Sequence, residues 1–178
     1  MSRTVRSRLA LALAVTTAAG LAVPAAASAH GPRSQRPTSE VTYLVATLDG
    51  SSEVPGAPGT PAVGDPDGRA VEVLRIEGNQ ISFAIRWTGI GAPTAGHLHL
   101  GAAGVNGPLK VLMFGPLPAT LNAVAGTVTV DDPALLDSLT ADPGAFYTNL
   151  HNAEFPGGAL RGQLRKATGR PALADALS

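Results

Sequence analysis

Histidine is where chemistry enters this chain, and there are four: His30, His97, His99 and His151. His97 and His99 stand one residue apart in AGHLHLGAAGVNGPLKV, residues 95–111. In an extended strand, residues two apart project from the same face, so these imidazoles sit side by side while Leu98 and Leu100 point the other way, toward a core. His151, in FYTNLHN, shares its side with Tyr147 and Asn149 and opposes Phe146, Thr148 and Leu150. Two strands therefore each present imidazole away from the apolar interior. Three imidazoles converging at about 2.0–2.1 Å from an ion make a zinc or copper site with an open position. His97, His99 and His151 are the metal ligands this pattern predicts, and Glu154 could add a carboxylate. The competing reading ties the same rings to backbone carbonyls and neighbouring side chains at turns, with no ion.

Other chemistries find little support. The chain has no cysteine, which excludes thiolate metal sites and cysteine nucleophiles. It has no G-x-S-x-G elbow and no glycine-rich stretch between a strand and a helix, as a phosphate loop requires. Asp65 and Asp67 fall in GDPDG, which lacks the remaining oxygen ligands of a calcium loop, and Asp132 reads as a helix cap. No catalytic residue is expected, and no cofactor beyond copper or zinc. The one enzymatic alternative is metal-assisted hydrolysis with Glu154 as base.

The elements that must hold these histidines are short and β-rich. VTYLVATL (41–48) reads as a strand, and the following 49–68 stretch has too many Pro and Gly residues for regular structure. RAVEVLRIE and QISFAIRWT flank Gly78-Asn79, a two-residue hairpin signal. Ile81, Phe83, Ile85 and Trp87 alternate with polar or small residues, so Trp87 is expected as a packing anchor. HLHLG, LKVLMF (109–114) and VAGTVTV (124–130) continue the pattern, then Asp132-Pro133 starts a short helix. FYTNLHN and ALRGQLR close the fold around Pro156-Gly157-Gly158. Arg161 is expected to reach the Asn149 or Glu154 region across this last hairpin. The predicted class is all-β: an antiparallel sandwich or flattened barrel, Greek-key-like, of seven to eight strands plus one short helix.

The first 29 residues place Arg3, Arg6 and Arg8 before an apolar run that ends in Ala27-Ser28-Ala29. That is the form of a secretory signal peptide cleaved between Ala29 and His30, and the run is too short and broken to span a bilayer. Residues 30–40 read as a disordered leader, 41–166 as the β domain and 167–178 as a flexible tail. The expected mature chain carries ten basic and thirteen acidic residues, a net charge of −3 with neutral histidines. No basic footprint for nucleic acid remains. A secreted location, no transmembrane segment after cleavage, and an extracellular protein or ligand as partner, met by the hairpin loops and the 49–68 surface loop, follow as expectations.

The pieces TLDGSSEVPG, GDPDGRA, ISFAIRWTGI, AGHLHLGAAGVNGPLKV and FYTNLHNAEFPGGALRGQL, in that order, resemble the CHRD (chordin) domain family. The resemblance covers about residues 43 to 165 and is most specific in HLHLGAAGVNGP and YTNLHNAEFPGGALRGQL. It implies a secreted, mostly β domain, found alone in bacterial proteins and in tandem in animal antagonists of bone morphogenetic proteins. Growth-factor binding in those animal proteins is attributed mainly to separate cysteine-rich modules, which this chain lacks, so that partner is not carried over. The family brings no established reaction, and the reading that follows is a non-enzymatic binding module. A looser similarity links the His-x-His strand to copper/zinc superoxide dismutases. The cysteine pair and the histidine run ending in aspartate of those enzymes have no counterpart here, so dismutase activity is not expected.

Overall fold

The computed structural model describes residues 41–178. The expected signal peptide and leader, residues 1–40, lie outside them. Nine strands build one antiparallel sheet: β1 (Thr42–Asp49), β2 (Arg69–Glu77), β3 (Gln80–Thr88), β4 (Pro93–Leu100), β5 (Leu109–Phe114), β6 (Ala123–Thr129), β7 (Phe146–Asn152), β8 (Leu160–Gln163) and β9 (Arg165–Lys166). Their spatial order is β5-β4-β7-β8-β1-β2-β3-β6, with β9 continuing β8 alongside β1. The two end strands face each other across a seam lined by residues 109–112 and 128–132, so the sheet curls into a nearly closed barrel. Among the described residues one α-helix, α1 (Pro133–Ala141), lies between β6 and β7.

Alternation decides which side chains enter the barrel. Leu44, Leu48, Leu74, Ile76, Ile81, Ile85, Leu98, Phe146, Leu150 and Leu160 are all essentially without solvent contact. Trp87, 3% exposed, continues that inward register as a packing anchor. Gly78 takes φ +57 in the β2–β3 turn, a left-handed angle that glycine adopts without a Cβ penalty. The β2–β3 pairing is then uninterrupted from Glu77↔Gln80 to Arg69↔Thr88.

Two elements differ from the sequence reading. The β4 strand begins at Pro93, not at His97, because GAPTAG is extended and pairs with β7 through a bulge between Pro93 and Ala95. Its small residues make room: a Cβ on Gly96 would overlap the Phe114 ring. Leu100, expected inside, is 36% exposed at the end of β4, while Leu98 is 1% exposed. After β9, a short turn over Leu173–Leu177 lays Leu173 and Ala176 against Tyr43, Val45, Val73 and Ala84 on the outer surface.

Asp132 caps α1 by accepting a hydrogen bond from the Leu135 backbone N–H at 3.1 Å, with Pro133 in the first turn. Leu136 and Leu139 on the same helix close one end of the core. Asp132→Ala is expected to lower stability by about 1 kcal/mol, the usual worth of such a cap, read as a shift in the urea midpoint at unchanged slope.

Candidate metal centre

The sequence signal for a site was alternation on two strands, and register brings those strands together. β4 and β7 are paired, with His97 opposite Asn149, His99 opposite Tyr147 and Ala95 opposite His151. β8 follows on the other side of β7, setting Arg161 opposite Asn149 and Gln163 opposite Tyr147. The outer face of these three strands thus carries His97, His99, Tyr147, Asn149, His151, Arg161 and Gln163 as one polar patch. Leu98, Thr148 and Leu150 fill the barrel behind it.

The three histidines predicted as ligands meet there. One ring nitrogen from each lies within 4.8 Å of the other two, and all three residues are half-buried. His97 Nδ1 and His151 Nε2 are 3.0 Å apart. Ligand nitrogens around one tetrahedral ion lie roughly 3.4 Å from each other when the bonds are 2.0–2.1 Å, so an ion here would require the rings to shift and the His97–His151 hydrogen bond to open, with the His97 proton leaving the ligating nitrogen. Glu154 is different: it is exposed in the turn after β7, outside the imidazole group and outside the pocket beside it. The carboxylate that does line the pocket is Glu53, from the segment after β1.

Backbone carbonyls determine which nitrogens are bare. His99 Nδ1 lies 3.0 Å from Gly107 O, and His151 Nδ1 lies 3.0 Å from Pro156 O. A carbonyl can only accept, so in the neutral rings both Nδ1 atoms carry the proton and both Nε2 atoms carry a lone pair. His97 Nδ1–H donates to the bare Nε2 of His151. Nε2 of His99 is buried with no partner among the described residues. Orienting a histidine through its second nitrogen is how protein metal sites hold their imidazole ligands. Turn carbonyls thus hold one nitrogen of His99 and one of His151, while His97 bonds to His151, so the hydrogen-bonded reading describes all three rings and only His99 Nε2 is left bare.

Electrostatics keep the rings unprotonated. Burial first, then the neighbouring His151 and His99, push His97 down to about 4. Burial also lowers His99, with Arg161 adding to the effect against the pull of Gly107, and it lowers His151 against the pull of Pro156. A neutral imidazole at pH 7 binds a metal without first shedding a proton.

A cavity of about 200 Å³ opens beside the imidazoles, lined among others by Glu53, Asn106, Tyr147, Asn149, His99 and His151. Burial pushes the Glu53 carboxyl up to about 7, although Arg161 and the Asn149 amide, which donates to Oε1, favour its ionised form. The 49–68 stretch, expected as a surface loop, also forms one wall of this cavity. Gly64 N and Asp65 N donate to Gly158 O and Ala159 O, each at 2.9 Å. Arg161, expected to reach Asn149 or Glu154, instead donates to Ala102 O, Val105 O and Asn106 Oδ1 in the β4–β5 turn.

Alternation along β7 pointed to Tyr147 and Asn149, already placed on the His151 side. Nothing local in the sequence marks Glu53, because its place depends on how a 20-residue connection folds back. Neither a curated protein nor a solved structure shows detectable similarity to the chain.. A family model described as CHRD domain matches residues 44–164, spanning every strand that builds the barrel up to the last, and the chain belongs to the CHRD domain family.

Proposed function

We propose that this CHRD domain is an exported, non-enzymatic binding module, and that its ligand is a single copper or zinc ion held by His97, His99 and His151. One observation carries the reading: Nε2 of His99 is a buried lone pair without a partner among the described residues, in a group whose other members are also neutral imidazoles. An unpaired buried acceptor costs about 1–3 kcal/mol, and an ion would satisfy it. An all-nitrogen set favours Cu(II) over Zn(II) by the general order of divalent affinities. Export is supported by the form of residues 1–29.

The test is a titration of the chelator-stripped, exported protein with Cu(II) and with Zn(II). A new N-terminus at His30 would chelate copper through its amino group and imidazole, so every sample carries His30→Ala. One ion per chain is expected, with affinity falling roughly 100-fold or more when His97, His99 and His151 are all replaced by alanine. Uptake that survives the triple replacement, or a parent protein that takes up neither ion, overturns the proposal.

A further inference from the structure

Arg161 is 1% exposed, and among the described residues no carboxylate pairs with it as a salt bridge. Burying a guanidinium is costly unless its hydrogen bonds are met by good acceptors. Here they are spent on one short turn. Nη2 donates to Ala102 O at 2.9 Å and to Val105 O at 3.0 Å, and Nη1 donates to Asn106 Oδ1 at 3.3 Å. The same guanidinium lies over the Tyr147 ring, its central carbon 3.5 Å from the centroid. On the other side of the sheet register, that Tyr147 ring stacks on His99 with centroids 4.9 Å apart and planes 10° from parallel.

The turn leads directly to the histidine. Gly107, next after Asn106, accepts from His99 Nδ1 through its carbonyl and donates through its N–H to the Tyr147 hydroxyl at 3.3 Å. Arg161 thus acts on His99 twice, through the carbonyl that selects its tautomer and through the stacked ring that sets its plane. The consequence is chemical. An unrestrained histidine in water favours the proton on Nε2, the nitrogen that must be bare to bind an ion. A lysine at this position keeps the charge but lacks the planar fork that joins the two carbonyls to Asn106 Oδ1 and lies flat on a ring.

We propose that Arg161 is the positioning residue of the three-histidine group: it clamps the 102–106 turn so that Gly107 O holds the proton of His99 on Nδ1 and leaves Nε2 bare. Its effect on metal affinity rests on the function proposed above, whereas its effect on the tautomer does not. His151 is the internal reference, because its Nδ1 is tied to Pro156 O and not to this turn.

The experiment reads imidazole tautomers by nitrogen-15 NMR in the full, metal-free protein. In the parent, His99 and His151 both carry the proton on Nδ1. In Arg161→Lys, His99 is expected to become a mixture of tautomers while His151 is unchanged, and copper affinity to fall about 10–100-fold, the usual effect of losing an outer partner. Asn106→Ala removes one Arg161 acceptor and the 2.9 Å bond from Asn106 to Val54 O on an exposed residue, and is expected to shift His99 the same way by a smaller amount. If Arg161→Lys fails to fold, Asn106→Ala decides alone. A His99 tautomer that stays on Nδ1, or His151 shifting in parallel, overturns the assignment. A parent that binds no ion but shows the tautomer change in the variants refutes the metal reading and leaves the clamp standing.

Discussion

At pH 8, Glu72→Gln is expected to be more stable than the parent by roughly 2–3 kcal/mol, and at pH 4.5 the two should be nearly equal. Glu72 is on β2 but points into the barrel, 1% exposed, where its one hydrogen bond is from the Thr148 hydroxyl at 2.6 Å. Its other oxygen has no partner among the described residues. Burial therefore pushes the carboxyl up to about 7, against the modest pull of Thr148. The folded protein keeps the proton up to about pH 7, while the unfolded chain releases it near 4.5. Between those values the folded state binds more protons, so stability falls as pH rises, and above 7 the full penalty of a buried charge is present. Glutamine keeps the acceptor for Thr148 and never ionises. Paired urea titrations at pH 8 and 4.5 measure the difference, and equal stabilities at pH 8 would mean that the carboxylate is solvated in the folded protein.

The same variant should expose a second pH dependence of opposite sign. His97, held down to about 4 in the folded state, is protonated near 6.5 when unfolded, so its contribution is complete above 6.5 and is lost as pH falls toward 4. In the parent the two windows overlap and partly cancel. Glu53, also pushed up to about 7, opposes His97 over the same window and remains in Glu72→Gln, so the variant is expected to lose more stability than the parent on acidification below pH 6.5.

Gly107→Ala is expected to cost about 3 kcal/mol and to weaken copper binding about 10–100-fold. A Cβ at this position would sit 1.6 Å from the carbonyl oxygen of Leu100 and 2.6 Å from its carbon, backbone atoms that cannot rotate away. The turn must move as a body, taking with it the carbonyl that receives His99 Nδ1 and the N–H that donates to Tyr147. Gly104→Ala is the control from the same turn. Its φ of +78 makes alanine strained, yet nothing lies within 4 Å of the added Cβ, so a loss of about 1 kcal/mol with copper affinity kept within a few-fold is expected. Equal losses of affinity in both variants would show that any disturbance of this turn, and not the displaced Gly107 carbonyl, controls the site.

Much of the architecture follows from local rules that act within a few residues. Alternation of Ile81, Phe83, Ile85 and Trp87, the Gly78-Asn79 turn and the Asp132-Pro133 cap each name their element because strand period, left-handed turn angles and orphan helix N–H groups are short-range constraints. The same period placed His97 and His99 on one face and His151 on the face away from Leu150. Where residues were small, as in GAPTAG, the pattern was silent, and the start of β4 emerges only from pairing with β7 and packing of Phe114 over Gly96.

The sequence by itself determined that imidazoles from two strands would face away from a β core. Only the tertiary structure decided that those strands are neighbours, that Glu53 and not Glu154 lines the adjoining pocket, and that Arg161 reaches the 102–106 turn. The reason is physical: side-chain direction is a property of the local backbone, whereas strand order and the path of a 20-residue connection are settled by how the whole barrel buries its apolar faces and pairs its backbone.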